Sequence, residues 1–245
     1  MAEYICIDGG TTNTRITLVN VNRVIDTERC NIGSGKNENN AMLKKTVKSG
    51  IEHILEKHGI TPKAVIASGM ITSDGGLCEI PHIPAPAGLK ELHNAISVRN
   101  IPEICDIPFA FIPGVKTVSK ALENADIMRG EETELMGLDI DISDSLVLLP
   151  GSHSKCISMS KDGRINEFHT FLTGEMLYAI SNDTILSRMV DLSVAADKEY
   201  LIMGYKYCKK HGINEALFKM RILDMLFSCT PAQRMGFFTG VILYG

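Results

Sequence analysis

Residues 4–19 read YICIDGGTTNTRITLV: two apolar runs interrupted by one carboxylate, two glycines and a pair of hydroxyls. Gly9 and Gly10 permit close backbone approach and positive φ. Consecutive amides in such a turn form an anion-binding concavity, to which the Thr11 and Thr12 hydroxyls add donors. Asp8 would repel a phosphate unless a Mg²⁺ with its waters stood between them. A hairpin whose Gly and Asp serve only turn chemistry would read the same way. A second turn, PGSHSK at 150–155, offers a hydroxyl, amides and the Lys155 ammonium to another phosphate oxygen. His153 has metal-ligand chemistry, but no second His or Cys stands at a ligand spacing, which argues against zinc.

Two further stretches carry acids. MRGEETELMG at 128–137 crowds Glu131, Glu132 and Glu134 at a predicted helix N-terminus. One of these acids could take a proton from an attacking hydroxyl, as phosphoryl transfer to an alcohol requires. Acids favoured by the helix dipole would look alike. Arg129 beside them could grip a carboxylate or phosphate bidentately. FLTGEML at 171–177 sets Thr173 and Gly174 at a helix start with Glu175 in its first turn, a pattern suited to sugar hydroxyls or a carboxylate and equally to a plain helix cap. His82, His93 and His169 read as surface or packed histidines.

Strands are predicted at 4–7, 15–20, 64–67, 109–112, 146–149, 156–159 and 165–168, with a hairpin turn at Asp162-Gly163. Apolar residues at steps of three and four predict a helix over 40–58, with Gly59 as its stop. Pro81, Pro84 and Pro86 make their segment extended and irregular. From Thr173 onward helices dominate. Thr230-Pro231-Ala232-Gln233 starts the last one, which runs to Gly245. Its Phe237, Phe238, Val241 and Leu243 are expected to leave apolar surface exposed. Two strand–turn–strand units half a chain apart, each followed by helices, point to a duplicated α/β architecture with a cleft between domains 1–115 and 116–245.

A chain of 245 residues with 44% apolar and 22% charged residues is globular rather than disordered. A net charge of −4 gives no basis for a nucleic-acid or anionic-membrane partner, and no apolar run is long enough to span a membrane. Seven cysteines without a Cys-x-x-Cys pair suit reduced thiols and a cytoplasmic location. Self-association into a homo-oligomer stays open.

Taken in order, IDGGTTNTR, ASGMITSDGG, MRGEETELMG, LLPGSHSK and FHTFLTGE resemble the 2-dehydro-3-deoxygalactonokinases, sugar-acid kinases of the actin-like ATPase superfamily. The resemblance implies a two-domain, ribonuclease H-like duplicated fold with ATP and Mg²⁺ in a central cleft. It implies transfer of the γ-phosphoryl of ATP to the 6-hydroxyl of 2-dehydro-3-deoxy-D-galactonate, in galactonate breakdown. By position, Asp8 would hold the metal, and Gly9, Gly10, Thr11, Thr12 and Asn13 would form the first phosphate loop. Gly151, Ser152, His153 and Lys155 would form the second. Glu131 or Glu132 would be the base, with Glu131 preferred. Arg15, Arg129, Ser73, Asp74, Thr173, Gly174 and Glu175 would contact the acceptor. Members of that family continue beyond the last helix into a segment that helps to hold adenosine. That difference motivates an alternative from another class, a sugar-acid or phosphate-binding relative without turnover. A phosphohydrolase using water as acceptor and an actin-like filament protein are weaker rivals.

Overall fold

The computed structural model describes residues 3–21, 23–34 and 40–244. The chain divides into two compact units, Met1–Val147 with Cys156–His169, and Leu148–Lys155 with Thr170–Gly245.

In the first unit, strand alternation sets the core. β1 (Glu3–Gly9) buries Ile5 and Ile7 and leaves Asp8 exposed, while β2 (Thr14–Asn20) buries Thr14, Ile16 and Leu18. β3 (Arg23–Cys30) follows, then α1 (Asn40–His58), whose Leu43, Val47, Ile51 and Ile54 lie inward as the stripe predicts. Gly59 stops α1 at φ +61°, its amide donating to the Leu55 carbonyl at 2.9 Å. β4 (Val65–Gly69) runs into a short 3₁₀ turn at Met70–Thr72. Beyond it lie β5 (Ile83–Pro84), α2 (Leu89–Asn94), β6 (Ser97–Ile101), β7 (Cys105–Phe111), β8 (Val115–Thr117), β9 (Asp126–Met128) and α3 (Glu131–Met136).

Six strands form one sheet in the order β3-β2-β1-β4-β7-β6. β1, β2 and β3 pair antiparallel; β4 and β7 extend the sheet parallel to β1. This is a mixed sheet of the kind the actin-like resemblance implies. The proline segment is extended as expected, yet Ile83–Pro84 pairs with β8 as the edge of a small sheet, β5-β8-β9. An edge position lets Pro84 lack its amide without breaking a ladder. β10 (Leu146–Leu149), β11 (Ser154–Met159) and β12 (Ile165–Phe171) form a third sheet, and the boundary between the units falls within these strands.

The second unit is mainly helical: α4 (Thr173–Asp183), α5 (Lys198–His211), α6 (Ile213–Phe227) and α7 (Pro231–Tyr244). The predicted start of α7 is observed as a reciprocal capping box. The Gln233 amide donates to Thr230 Oγ1 at 3.3 Å, and the Thr230 amide donates to Gln233 Oε1 at 2.9 Å. Gly245 lies outside the described residues. The expected apolar exposure on α7 needs correction: Phe237, Phe238 and Val241 are buried in a core shared with Cys208 of α5 and Met220 of α6, and of the four only Leu243 is exposed, at 56%. Three glycines make that packing close. A Cβ on Gly204 would collide with the Phe237 carbonyl, one on Gly236 with that of Asp197, and one on Gly240 with that of Leu201. Among the described residues no helix is long and apolar enough to cross a membrane.

Helix propensity and packing make opposite predictions at Gly204. Alanine would stabilise an isolated helix by about 1 kcal/mol, whereas forcing α5 and α7 apart costs about 1–3 kcal/mol or more. Packing wins because the clash is with backbone. Gly204→Ala is expected to lower the thermal midpoint by a few degrees; an unchanged or raised midpoint in a melting scan would show that the helices can separate freely.

Candidate phosphate and acceptor site

Three of the motifs meet in the first unit through backbone. The parallel β1–β4 register sets Asp8 beside Ser68 and Gly9 beside Gly69. A Cβ on Gly9 would lie 2.6 Å from Ile71 Cβ. Gly69, at φ +81°, has room for no Cβ either, since one would sit 2.5 Å from the Gly9 carbonyl oxygen. Gly130, at φ +113°, approaches the Gly69 Cα, with 3.2 Å left for a Cβ. The Asp8 turn, the 68–76 loop and the start of α3 are therefore joined with no side chain between them. Gly9 and Gly10 permit positive φ, but neither adopts it, and Gly9 pairs with Thr14 as the end of β1. The left-handed glycines are Gly69 and Gly130.

The first turn is closed by the Gly10 amide donating to the Asn13 carbonyl at 2.8 Å. The Ser34 amide donates to the Gly10 carbonyl at 3.0 Å, and Gly33 lies against the backbone of Gly10, Thr11 and Thr12. Thr11, Thr12 and Asn13 are exposed, with Asn13 Nδ2 donating to Thr12 Oγ1 at 3.1 Å. Among the described residues, the Thr11 and Thr12 amides have no protein acceptor. Asp8 faces Arg15 across the ladder at 3.6 Å, an ion pair too long for a hydrogen bond.

Arg129 clamps the neighbouring loop. Its Nη1 donates to the Thr72 carbonyl at 2.7 Å and to Thr72 Oγ1 at 2.5 Å. Its Nη2 donates to the Ile80 carbonyl at 3.0 Å and to His82 Nδ1 at 3.1 Å. The four terminal N–H groups of the guanidinium are thus engaged by protein, leaving Nε–H. His82 accepts only when neutral, and burial first, then the Arg129 and Lys116 charges, push its pKa down to about 4. Thr72 Oγ1 in turn donates to the Gly69 carbonyl at 3.0 Å. The Ser73 hydroxyl donates to the Met70 carbonyl at 2.6 Å, and exposed Asp74 accepts from the Gly75 amide at 2.8 Å.

The two candidate bases differ sharply. Glu131 is half-buried and accepts the Arg129 amide at 2.9 Å. Glu132 has no exposed surface; both of its oxygens lie 2.9 Å from the Gly130 amide, and Thr133 Oγ1 donates to one of them at 3.1 Å. Burial pushes the Glu132 carboxyl up to about 7, against the opposing pull of the Gly130 amide.

In the second unit, the 150–155 turn is docked on the start of α4. The Gly174 and Glu175 amides donate to the carbonyls of Gly151 and Ser152 at 3.2 and 3.1 Å. A Cβ on Gly174 would lie 2.5 Å from the Gly151 carbonyl oxygen, so the sequence must have glycine there. His153 Nε2 and Glu175 Oε2 are 2.6 Å apart. Gly151 and Ser152 are exposed, Thr173 is half-buried, and Lys155 is buried on β11. Two motifs read separately in the sequence are therefore one structural unit, in which two first-turn amides of α4 are already paired.

Sequence reasoning missed Thr72, His82 and Gly69. Thr72 and Gly69 sit inside a quoted motif but have ordinary types, and His82 follows a proline with no periodicity to mark it. Among the described residues no group of three or more His, Cys, Asp or Glu could hold a metal ion by itself. An exposed single carboxylate at Asp8, beside unpaired amides, fits Mg²⁺ arriving with phosphate oxygens and waters, which needs only one or two protein carboxylates.

The fold class follows from a solved structure from Sinorhizobium meliloti, put forward as a 2-dehydro-3-deoxygalactonokinase. It matches 100% of this chain and 78% of its own with a TM-score of 0.78 at 23% identity. The chain belongs to the 2-keto-3-deoxy-galactonokinase family, whose sequence profile matches residues 8–244. The Rhizobium meliloti (strain 1021) protein DgoK1, put forward as a 2-dehydro-3-deoxygalactonokinase, is 30% identical over 194 residues, 76% of this chain and 59% of that protein. The 2-dehydro-3-deoxygalactonokinase of Escherichia coli (strain K12) is 27% identical over 247 residues, 99% of this chain and 78% of that protein. The chain thus matches 59% and 78% of the lengths of these two relatives.

Two outcomes follow from the buried groups. Folding lifts the Glu132 pKa from 4.5 to about 7, so the native state holds a proton that the unfolded chain has lost across that window. Stability attributable to Glu132 is full below 4.5 and falls as pH rises to about 7. Glu132→Gln should therefore gain on the wild type by about 2–3 kcal/mol between pH 5 and pH 8; a pH-independent difference in chemical denaturation would rule this out. At His82, Leu removes an acceptor of Arg129 and is expected to cost about 1–3 kcal/mol. Asn can offer Oδ1 where Nδ1 stood and should restore most of that loss in thermal unfolding; equal losses would exclude the acceptor role.

Proposed function

We propose that this chain is an ATP-dependent kinase that phosphorylates the 6-hydroxyl of 2-dehydro-3-deoxy-D-galactonate, in galactonate breakdown in the cytoplasm. The observation that carries the reading is the contact of Gly9, Gly69 and Gly130, which brings a phosphate-type turn to the backbone that bears two glutamates. Family membership supports it.

In this reading the amides and hydroxyls of Thr11 and Thr12, with Gly9, Gly10 and Asn13, hold phosphate oxygens. Gly151, Ser152, His153 and Lys155 form the second phosphate contact. Asp8 would hold Mg²⁺, which would supply charge compensation on the phosphates. Glu131 takes the proton of the acceptor hydroxyl as its oxygen bonds to the γ-phosphorus, and ADP leaves with the electrons of the broken bond. Glu131 is preferred because it retains exposure, whereas Glu132 is sealed and fixes the Gly130 turn. Arg15, Ser73, Asp74, Thr173, Gly174 and Glu175 contact the acceptor; Arg129 acts on it chiefly by holding the 72–82 loop. Domains 1–115 and 116–245 are the halves of the kinase in this proposal, a functional partition distinct from the compact units.

ADP release from Mg·ATP by the 245-residue chain, with and without the sugar acid, tests the reading. Sugar-dependent release that drops about 10²-fold or more in Asp8→Asn is expected. Release without sugar would make the protein a phosphohydrolase, and no release would make it a binding relative.

A further inference from the structure

An anionic acceptor and a nucleotide both require cations, and the clamp removes one candidate. Arg129 has its four terminal N–H groups on Thr72, Ile80 and His82. The positive charge left beside the Asp8 turn lies on the sheet. The antiparallel registers set Asp8 opposite Arg15, and Arg15 opposite Arg29. Directly opposed residues share a sheet face, so these three charges form one row across β1, β2 and β3.

That row is unbalanced. Like charges directly opposite one another are destabilising, and among the described residues the one ion pair to either arginine is that of Asp8 with Arg15, at 3.6 Å. The acids next to Arg29 on its own strand do not help. Asp26 and Glu28 pair with Leu18 and Ile16, on the face covered by α1, and there they meet Lys57 and His58, and His53. Among the described residues the side chain of Arg29, which is exposed, has no hydrogen-bond or ion-pair partner. Two guanidiniums directly opposed on one sheet face, one of them on the strand that leaves the Asp8 turn, make a place where a planar or tetrahedral oxyanion is held by fork geometry as well as by charge.

We propose that Arg15 and Arg29 form a two-arginine oxyanion site that holds a carboxylate or phosphate group of a reactant, with Arg29 as a binding residue for that group. The owner of the oxyanion rests on the kinase reading: it is the acid group of the sugar acid or a phosphate of the nucleotide. The site itself does not depend on turnover.

The experiment is calorimetric titration of the full chain with 2-dehydro-3-deoxy-D-galactonate and, separately, with a non-hydrolysable Mg·ATP analogue. Wild type, Arg29→Gln and Arg29→Lys are compared. Arg29→Gln is expected to weaken one of the two ligands by about tenfold or more, and Arg29→Lys by less, since charge survives but the fork does not. A loss confined to the sugar acid assigns its carboxylate to the site; a loss confined to the analogue assigns a phosphate. Since Arg29 is exposed and opposed by a like charge, Arg29→Gln should melt no earlier than wild type, which separates lost binding from lost folding. Changes under twofold for both ligands, or no binding of either by wild type, would overturn the proposal. A chain that binds the sugar acid through Arg29 but releases no ADP keeps the site and loses the kinase reading.

Discussion

The geometry of the first unit depends on one steric constraint, the exclusion of Cβ atoms where Gly9, Gly69 and Gly130 meet. Each glycine loses more conformational entropy on ordering than any other residue would. Two of them also hold φ values that an L side chain rarely adopts. What the arrangement achieves is proximity. The ends of β1 and β4 and the start of α3 come together without room for Cβ atoms, so Asp8 on β1 and the glutamates of α3 stand at fixed offsets. No long side chain has to be ordered to hold them there. The nearby Thr72 and Ser73 hydroxyls return their protons to carbonyls within the same turn, which keeps that backbone paired where it is buried.

The arginines around this centre illustrate how burial decides role. A guanidinium cannot discard its proton to escape desolvation, so a half-buried one must be surrounded by acceptors. Arg129 has them: two carbonyls, a hydroxyl and a neutral imidazole nitrogen. With its terminal donors satisfied, it is part of the scaffold. Arg15 keeps 53% of its side chain exposed, with one loose partner, and its donors remain available. Residue type alone ranked the two equally; accessibility and donor accounting separate them.

Most elements of the fold were legible where one physical signal dominated. The apolar stripe of α1, the alternation of β1 and β2, and the Thr230–Gln233 box each follow from local chemistry and are observed. β3 was not legible, because it has acids on the α1 face and Arg29 on the other, and therefore lacks the apolar alternation that marks a half-buried strand. The fate of α7 was misread for a different reason. Its apolar face is covered by α5 and α6, and glycines at the crossing carry no hydrophobic signal at all. At the site, the sequence marks Gly9 and Gly10, but the left-handed glycines Gly69 and Gly130 are not legible in it. Gly9 is needed for the approach of Ile71, a contact between residues 62 positions apart that no local pattern encodes.

The five motifs also differ in how completely their polar groups are answered by protein. The 150–155 turn passes its carbonyls to the first amides of α4, and Glu132 closes on the Gly130 amide. Arg129 closes on the 72–82 loop. These groups have partners and need no ligand to explain them. The turn at 10–13 is different: its Asn13 and Gly10 carbonyls accept from the Gly10 and Ser34 amides, while among the described residues the Thr11 and Thr12 amides have no protein acceptor and the neighbouring Arg15 is exposed. Polar groups in a folded protein find partners in protein, water or ligand. A turn rigidly held from behind and left rich in donors in front is pre-organised for an anion, since the cost of ordering it has been met by the fold rather than by binding. The first strand runs through Asp8 to Gly9 and returns as β2, so the connection is a hairpin, and in the proposed reading that asymmetry is what lets its turn serve as an anion site as well.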